Sequence, residues 1–105
     1  MKKQIEFTQS AWKFYTEQAE AVRTAFDLNI MELSETGVLN VPNAKKLAPN
    51  LYEIRVKVAP NQYRLLYCYA DGDKVLILSG FVKKTRKTPK AEIDKAKQIR
   101  KAAGA

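Results

Sequence analysis

Between residues 51 and 81 the chain runs through three β-rich segments parted by two tight turns, the first two alternating strictly between faces, and that pattern calls for an antiparallel sheet. Leu51 to Val58 places Tyr52, Ile54, Val56 and Val58 on one face and Leu51, Glu53, Arg55 and Lys57 on the other, because successive strand residues point to opposite sides. Ala59-Pro60-Asn61 has turn chemistry, and Gln62 to Ala70 returns with Tyr63, Leu65, Tyr67 and Tyr69 alternating against Arg64, Leu66 and Cys68. Asp71-Gly72-Asp73 is a second turn, a better account of those two carboxylates than a metal site shared with Glu53. Lys74 to Phe81, with Val75, Leu76, Ile77 and Leu78 in an unbroken apolar run, reads as a third strand in the middle of the sheet.

Helical spacing governs the flanks. Gln4 to Phe7 suits a short strand, after which Thr8 or Ser10 can cap a helix that begins near Ala11. Trp12, Tyr15, Ala19, Val22, Phe26, Ile30 and Leu33 recur three or four apart, which predicts one or two amphipathic helices closed by Gly37 as C-cap. Pro42, Asn43, Pro49 and Asn50 punctuate a connection in which Lys45, Lys46 and Leu47 can form a short strand. Thr88 is placed to cap a last helix that starts at Pro89, with Glu92 in its first turn and Ile93, Ala96 and Ile99 on one side. The reading is a single α+β domain over residues 1–105 in the order βααβββα. It is a small antiparallel sheet with two N-terminal helices and one C-terminal helix, packed on one side so that the other face stays open.

Composition narrows the chemistry. With no histidine and one cysteine, tetrahedral zinc sites and histidine-activated thiol catalysis cannot be assembled, and Cys68, inside an apolar run, reads as a reduced, buried thiol. No run of about 18 apolar residues occurs, and Glu6 interrupts the N-terminus before a signal sequence could develop, so the expected location is cytoplasmic, with no membrane partner. The net charge of +8 is concentrated rather than spread. Residues 1–43 hold four Lys/Arg against six Asp/Glu, whereas residues 44–105 hold fifteen against five. A patch of this kind attracts phosphate-bearing partners and makes their binding salt-dependent.

Arg55 and Lys57 lie two apart on the outward side of one strand, Arg64 sits on its neighbour, and Lys83, Lys84, Arg86 and Lys87 crowd the loop that follows the third strand. Lys95 and Lys97 extend the same positive surface onto the last helix. Cations drawn from separate segments into one concave site call for an anionic partner, RNA or a comparable polyanion. RNA cleavage is commonly driven by histidine, which is absent, but a lysine among other cations has a lowered pKa and can act as base or acid. Arginine can stabilise the phosphorane, and Glu53 is a candidate for proton transfer. Neither metal nor cofactor is needed if the RNA's own 2′-hydroxyl attacks.

Leu47 followed by Leu51-Tyr52-Glu53-Ile54-Arg55, then Tyr63-Arg64-Leu65-Leu66-Tyr67, Gly80-Phe81-Val82-Lys83-Lys84-Thr85 and Thr88-Pro89 with Glu92-Ile93, resembles the RelE/ParE toxin superfamily. The nearest likeness is to its HigB-like, phage-derived branch, and it covers nearly the whole chain. The resemblance implies the toxin of a type II toxin-antitoxin module, a ribosome-dependent mRNA endonuclease held inactive by an antitoxin of helix-turn-helix type that covers the basic face. It gives Arg55 the place of a basic residue on the catalytic strand, Arg64 that of the arginine on the scissile phosphate, and Lys83 or Lys84 that of the basic residue after the strand. Two departures stand out. Glu53 occupies a position where RelE is basic, and beyond Tyr69 the chain lacks the tyrosine or histidine that such enzymes carry near the C-terminus. The resemblance also admits a ParE-like DNA gyrase inhibitor or a non-catalytic RNA- or ribosome-binding member. The retained Arg55, Arg64 and Lys83-Lys84 favour the nuclease, and Phe81 is expected in the core rather than stacked on a base.

Overall fold

Eight elements make up the fold: β1 (Gln4–Phe7), α1 (Gln9–Thr16), α2 (Glu20–Thr36), β2 (Ala44–Ala48), β3 (Leu51–Val58), β4 (Asn61–Ala70), β5 (Lys74–Lys83) and α3 (Lys90–Ala102). The structure, a computed structural model, describes residues 2–105. The sheet order is β1-β5-β4-β3-β2. The pairs β2–β3, β3–β4 and β4–β5 are antiparallel, and β1 lies parallel to β5.

Three features differ from the sequence reading. The sheet is mixed, because α1 and α2 lead from β1 to β2 at the opposite edge and the antiparallel run β2-β3-β4-β5 then returns to lay β5 parallel to β1. Residues 44–48 form a full edge strand that pairs Ala44 with Ile54 and Lys45 with Glu53, giving four strands after the helices where three were expected. Helices also cover both faces: α1 and α2 pack on one, α3 on part of the other.

On the first face Ala11, Val22, Phe26 and Leu33 pack onto Ile54, Val56, Leu65, Tyr67, Val75 and Ile77. The Thr8 hydroxyl accepts from the Ala11 amide at 3.2 Å, capping α1, and donates to the Leu78 carbonyl at 2.6 Å, which fixes the helix start to β5. The Phe14 ring presses on Gly80 where a Cβ would overlap it, so this close approach requires glycine. Gly37 ends α2 with a left-handed φ of 84°.

The second face is split. Ala96, Ile93 and Ile99 of α3 cover Leu51, Leu66, Cys68, Leu78 and Phe81, which places Phe81 and Cys68 in the core as expected. Arg100 anchors the C-terminal end of α3 by donating from Nη1 to the Pro49 and Asn50 carbonyls, both at 2.9 Å. The half of the face that α3 leaves uncovered carries the charged residues. No helix among the described residues is long and apolar enough to cross a membrane.

Candidate phosphate-binding site

Strand register brings the cations together. Arg55 pairs with Arg64, and Arg64 with Phe81; in the next row Lys57 pairs with Gln62, and Gln62 with Lys83. Two arginines directly opposite on one sheet face repel, so the arrangement needs a counter-charge. Glu53 supplies it from two positions back on β3. Its Oε1 lies 3.6 Å from Arg64 Nε and its Oε2 lies 3.9 Å from Arg55 Nε. The Thr88 hydroxyl donates to Glu53 Oε1 at 2.6 Å.

Arg64 is not the outward cation that the alternation suggested. It is 2% exposed, and Glu53 is 1% exposed. Arg64 Nη1 donates to the Tyr63 carbonyl at 3.0 Å and Nη2 to Gln62 Oε1 at 2.7 Å, while its buried Nε has no hydrogen-bond partner. Alternation assigns a face but not solvent, and here the guanidinium is taken up by Tyr63, Gln62 and Glu53, with Phe81 beside it on β5. Burial pulls the Arg64 pKa below its ordinary value; Glu53 opposes that and Arg55 adds to it. Glu53 is thus held between two guanidiniums and a hydroxyl while it also borders the cation-lined cavity.

Arg55, Lys83, Arg86, Lys87 and Thr88 line a cavity of about 240 Å³, joined by Lys45 from β2. A second hollow of about 350 Å³ lies on the other side of Arg55, lined by Asn43, Lys57, Gln62 and Arg64, so Arg55 borders both. The pKa of Lys83 is lowered, first by burial and then by Arg64, Arg55 and Lys45, with Glu53 opposing. Depressed in this way, Lys83 gives up a proton more readily than an ordinary lysine.

Of the residues singled out from the sequence, Arg55, Arg64, Lys83, Glu53, Arg86 and Lys87 meet at this site, and Lys57 borders the adjoining hollow. Lys84 is exposed and lines neither. Lys95 and Lys97 are exposed on α3, where Lys97 borders a separate depression with Asp94, Gln98 and Lys101. Lys45 was missed. Its signal was the Lys45-Lys46 pair in the strand-capable segment 45–47, one of whose residues must face the same way as Glu53. No cluster of three or more His, Cys, Asp or Glu suited to a metal occurs among the described residues. A larger hollow of about 460 Å³ lies on the helical face over Tyr52, Tyr67 and Tyr69, away from the cation cluster.

This fold is that of RelE toxins. The E. coli toxin RelE, as an arginine-to-alanine double mutant in the free state, superposes with a TM-score of 0.66 at 23% identity over 98% of both chains. The RelBE2 toxin-antitoxin complex of Mycobacterium tuberculosis gives 0.60 at 20% identity, covering 79% of this chain and 100% of that one. The intact E. coli RelBE complex gives 0.58 at 22%, covering 81% and 99%. No curated protein sequence matches the chain. The family model for phage-derived Gp49-like proteins matches residues 13–101, and the chain belongs to that family.

Proposed function

We propose that the chain is the toxin of a type II toxin-antitoxin module, an endoribonuclease that binds mRNA on the ribosome and inhibits translation. The observation that carries this reading is the meeting of Arg55, Lys83, Lys45, Arg86 and Lys87 around one cavity, with a lysine of lowered pKa among them. In the proposed step neutral Lys83 takes the proton of the 2′-hydroxyl, whose oxygen bonds to phosphorus. Arg55 stabilises the charge that builds on the phosphorane. The bond from phosphorus to the 5′-oxygen breaks, and an ammonium in the cavity, Lys45 or Lys87, protonates the departing oxygen. The products are a 2′,3′-cyclic phosphate and a 5′-hydroxyl, with no metal or cofactor consumed. An antitoxin that neutralises the positive face would keep the enzyme silent, and the RelBE complexes with this fold support such a partner.

A non-catalytic RNA- or ribosome-binding protein is the second reading, favoured by the lack of any tyrosine or histidine beyond Tyr69. Induced expression with pulse labelling tests the proposal. Protein synthesis should fail first, with DNA supercoiling unchanged. DNA synthesis failing first would support a gyrase inhibitor instead.

A further inference from the structure

We infer that Glu53 and Thr88 form a latch that holds the basic loop 84–87 over the sheet, making both positioning residues for the phosphate site. This rests on the proposed function for its purpose, but not for its existence. Thr88 precedes Pro89, which caps α3 without a side-chain hydrogen bond. The hydroxyl that sequence spacing assigned to the helix instead reaches Glu53 on β3, 35 residues away. Thr85 donates to the Lys87 carbonyl and so bonds within the loop. Among the described residues, no other side-chain hydrogen bond ties residues 84–88 to the sheet.

Glu53 uses both oxygens at once. Oε1 serves Arg64 and Thr88, and Oε2 serves Arg55. One buried carboxylate thus sets the spacing of two like-charged arginines and docks the segment that carries Arg86 and Lys87 onto the same cavity. A lysine at position 53 could add charge to the site, but it could not accept from Thr88. A glutamate there gives up one positive charge and gains a fixed loop.

Two arms test the latch. Trypsin should cut after Lys84, Arg86 or Lys87 about tenfold faster in Thr88→Val, the effect of losing one hydrogen bond to a charged group, while Thr88→Ser stays near wild type. Equal cutting of wild type and Thr88→Val overturns the latch. Cutting spread over the whole of Thr88→Val also counts against it, since Thr88 would then hold the fold rather than the loop. In the second arm, replacing Arg86 and Lys87 by alanine should weaken binding of a fluorescent RNA oligonucleotide in the wild-type background and change it far less in Thr88→Val. Equal factors in both backgrounds overturn the positioning role. If wild type binds no RNA, the proposed function fails, and the trypsin arm alone decides the latch.

Discussion

Arg55 and Arg64 stand opposite each other on β3 and β4, and Glu53 is ion-paired to both, at 3.9 and 3.6 Å. The pair is unequal. Arg64 is buried and committed to Tyr63 and Gln62, whereas Arg55 is partly exposed and borders two hollows. Under the proposed function this divides their work: Arg64 would support, and Arg55 would meet the phosphate.

Removing Arg64 should therefore damage the fold. Arg64→Ala leaves Glu53 buried with one ion partner gone, a change that typically destabilises by about 3–5 kcal/mol. Replacing Arg64 with Met and Glu53 with Leu together should recover much of that, because no buried charge is left unpaired. Urea unfolding of the three proteins checks it, and a loss below about 1 kcal/mol for Arg64→Ala would show the guanidinium to be solvated, as an exposed surface pair is.

Lys83, as the proposed base, predicts a pH dependence. Only its neutral form can take a proton, so the cleavage rate should rise with pH and level off once Lys83 is deprotonated, below the ordinary lysine value because its pKa is lowered. Lys83→Arg keeps the charge but not a titratable base, so it should abolish the rise together with most of the rate. A pH-rate curve of unchanged shape in Lys83→Arg would exclude Lys83 as the base.

RNA affinity should fall as salt increases, with a logarithmic slope of about −0.7 for each phosphate contacted on a single strand. Lys45→Ala with Lys87→Ala should flatten that slope more than Lys95→Ala with Lys97→Ala, because the former pair lines the cavity and the latter lies on α3. Titrations at several salt concentrations read the two slopes directly, and equal flattening would mean that the whole positive surface binds without a focus.

Much of the fold was legible because period-two and helical spacing fix which side of an element is apolar. Tyr52, Ile54 and Val56 with Leu65 and Tyr67 fall on the face that alternation gave them, and Val22, Phe26 and Leu33 on the buried stripe of α2. What could not be read depended on contacts distant in sequence. The parallel pairing of β1 with β5 has no local signature, and although residues 45–47 could be read as a short strand, its pairing with β3 at the sheet edge could not. In the candidate site, the cations were visible as residues, but the burial of Arg64 and the reach of Thr88 to Glu53 depend on how α3 and its loop close over the sheet.

Single-turnover cleavage of ribosome-bound mRNA, at equal ribosome occupancy, tests the central claim. Wild type should cut. Arg55→Ala should cut about 10²-fold more slowly or worse, as expected when one well-placed transition-state donor is lost, while its unfolding is disturbed less than that of Arg64→Ala because Arg55 is partly exposed and Glu53 keeps Arg64 and Thr88. Equal rates for the two proteins, or no cleavage by wild type, would contradict the account.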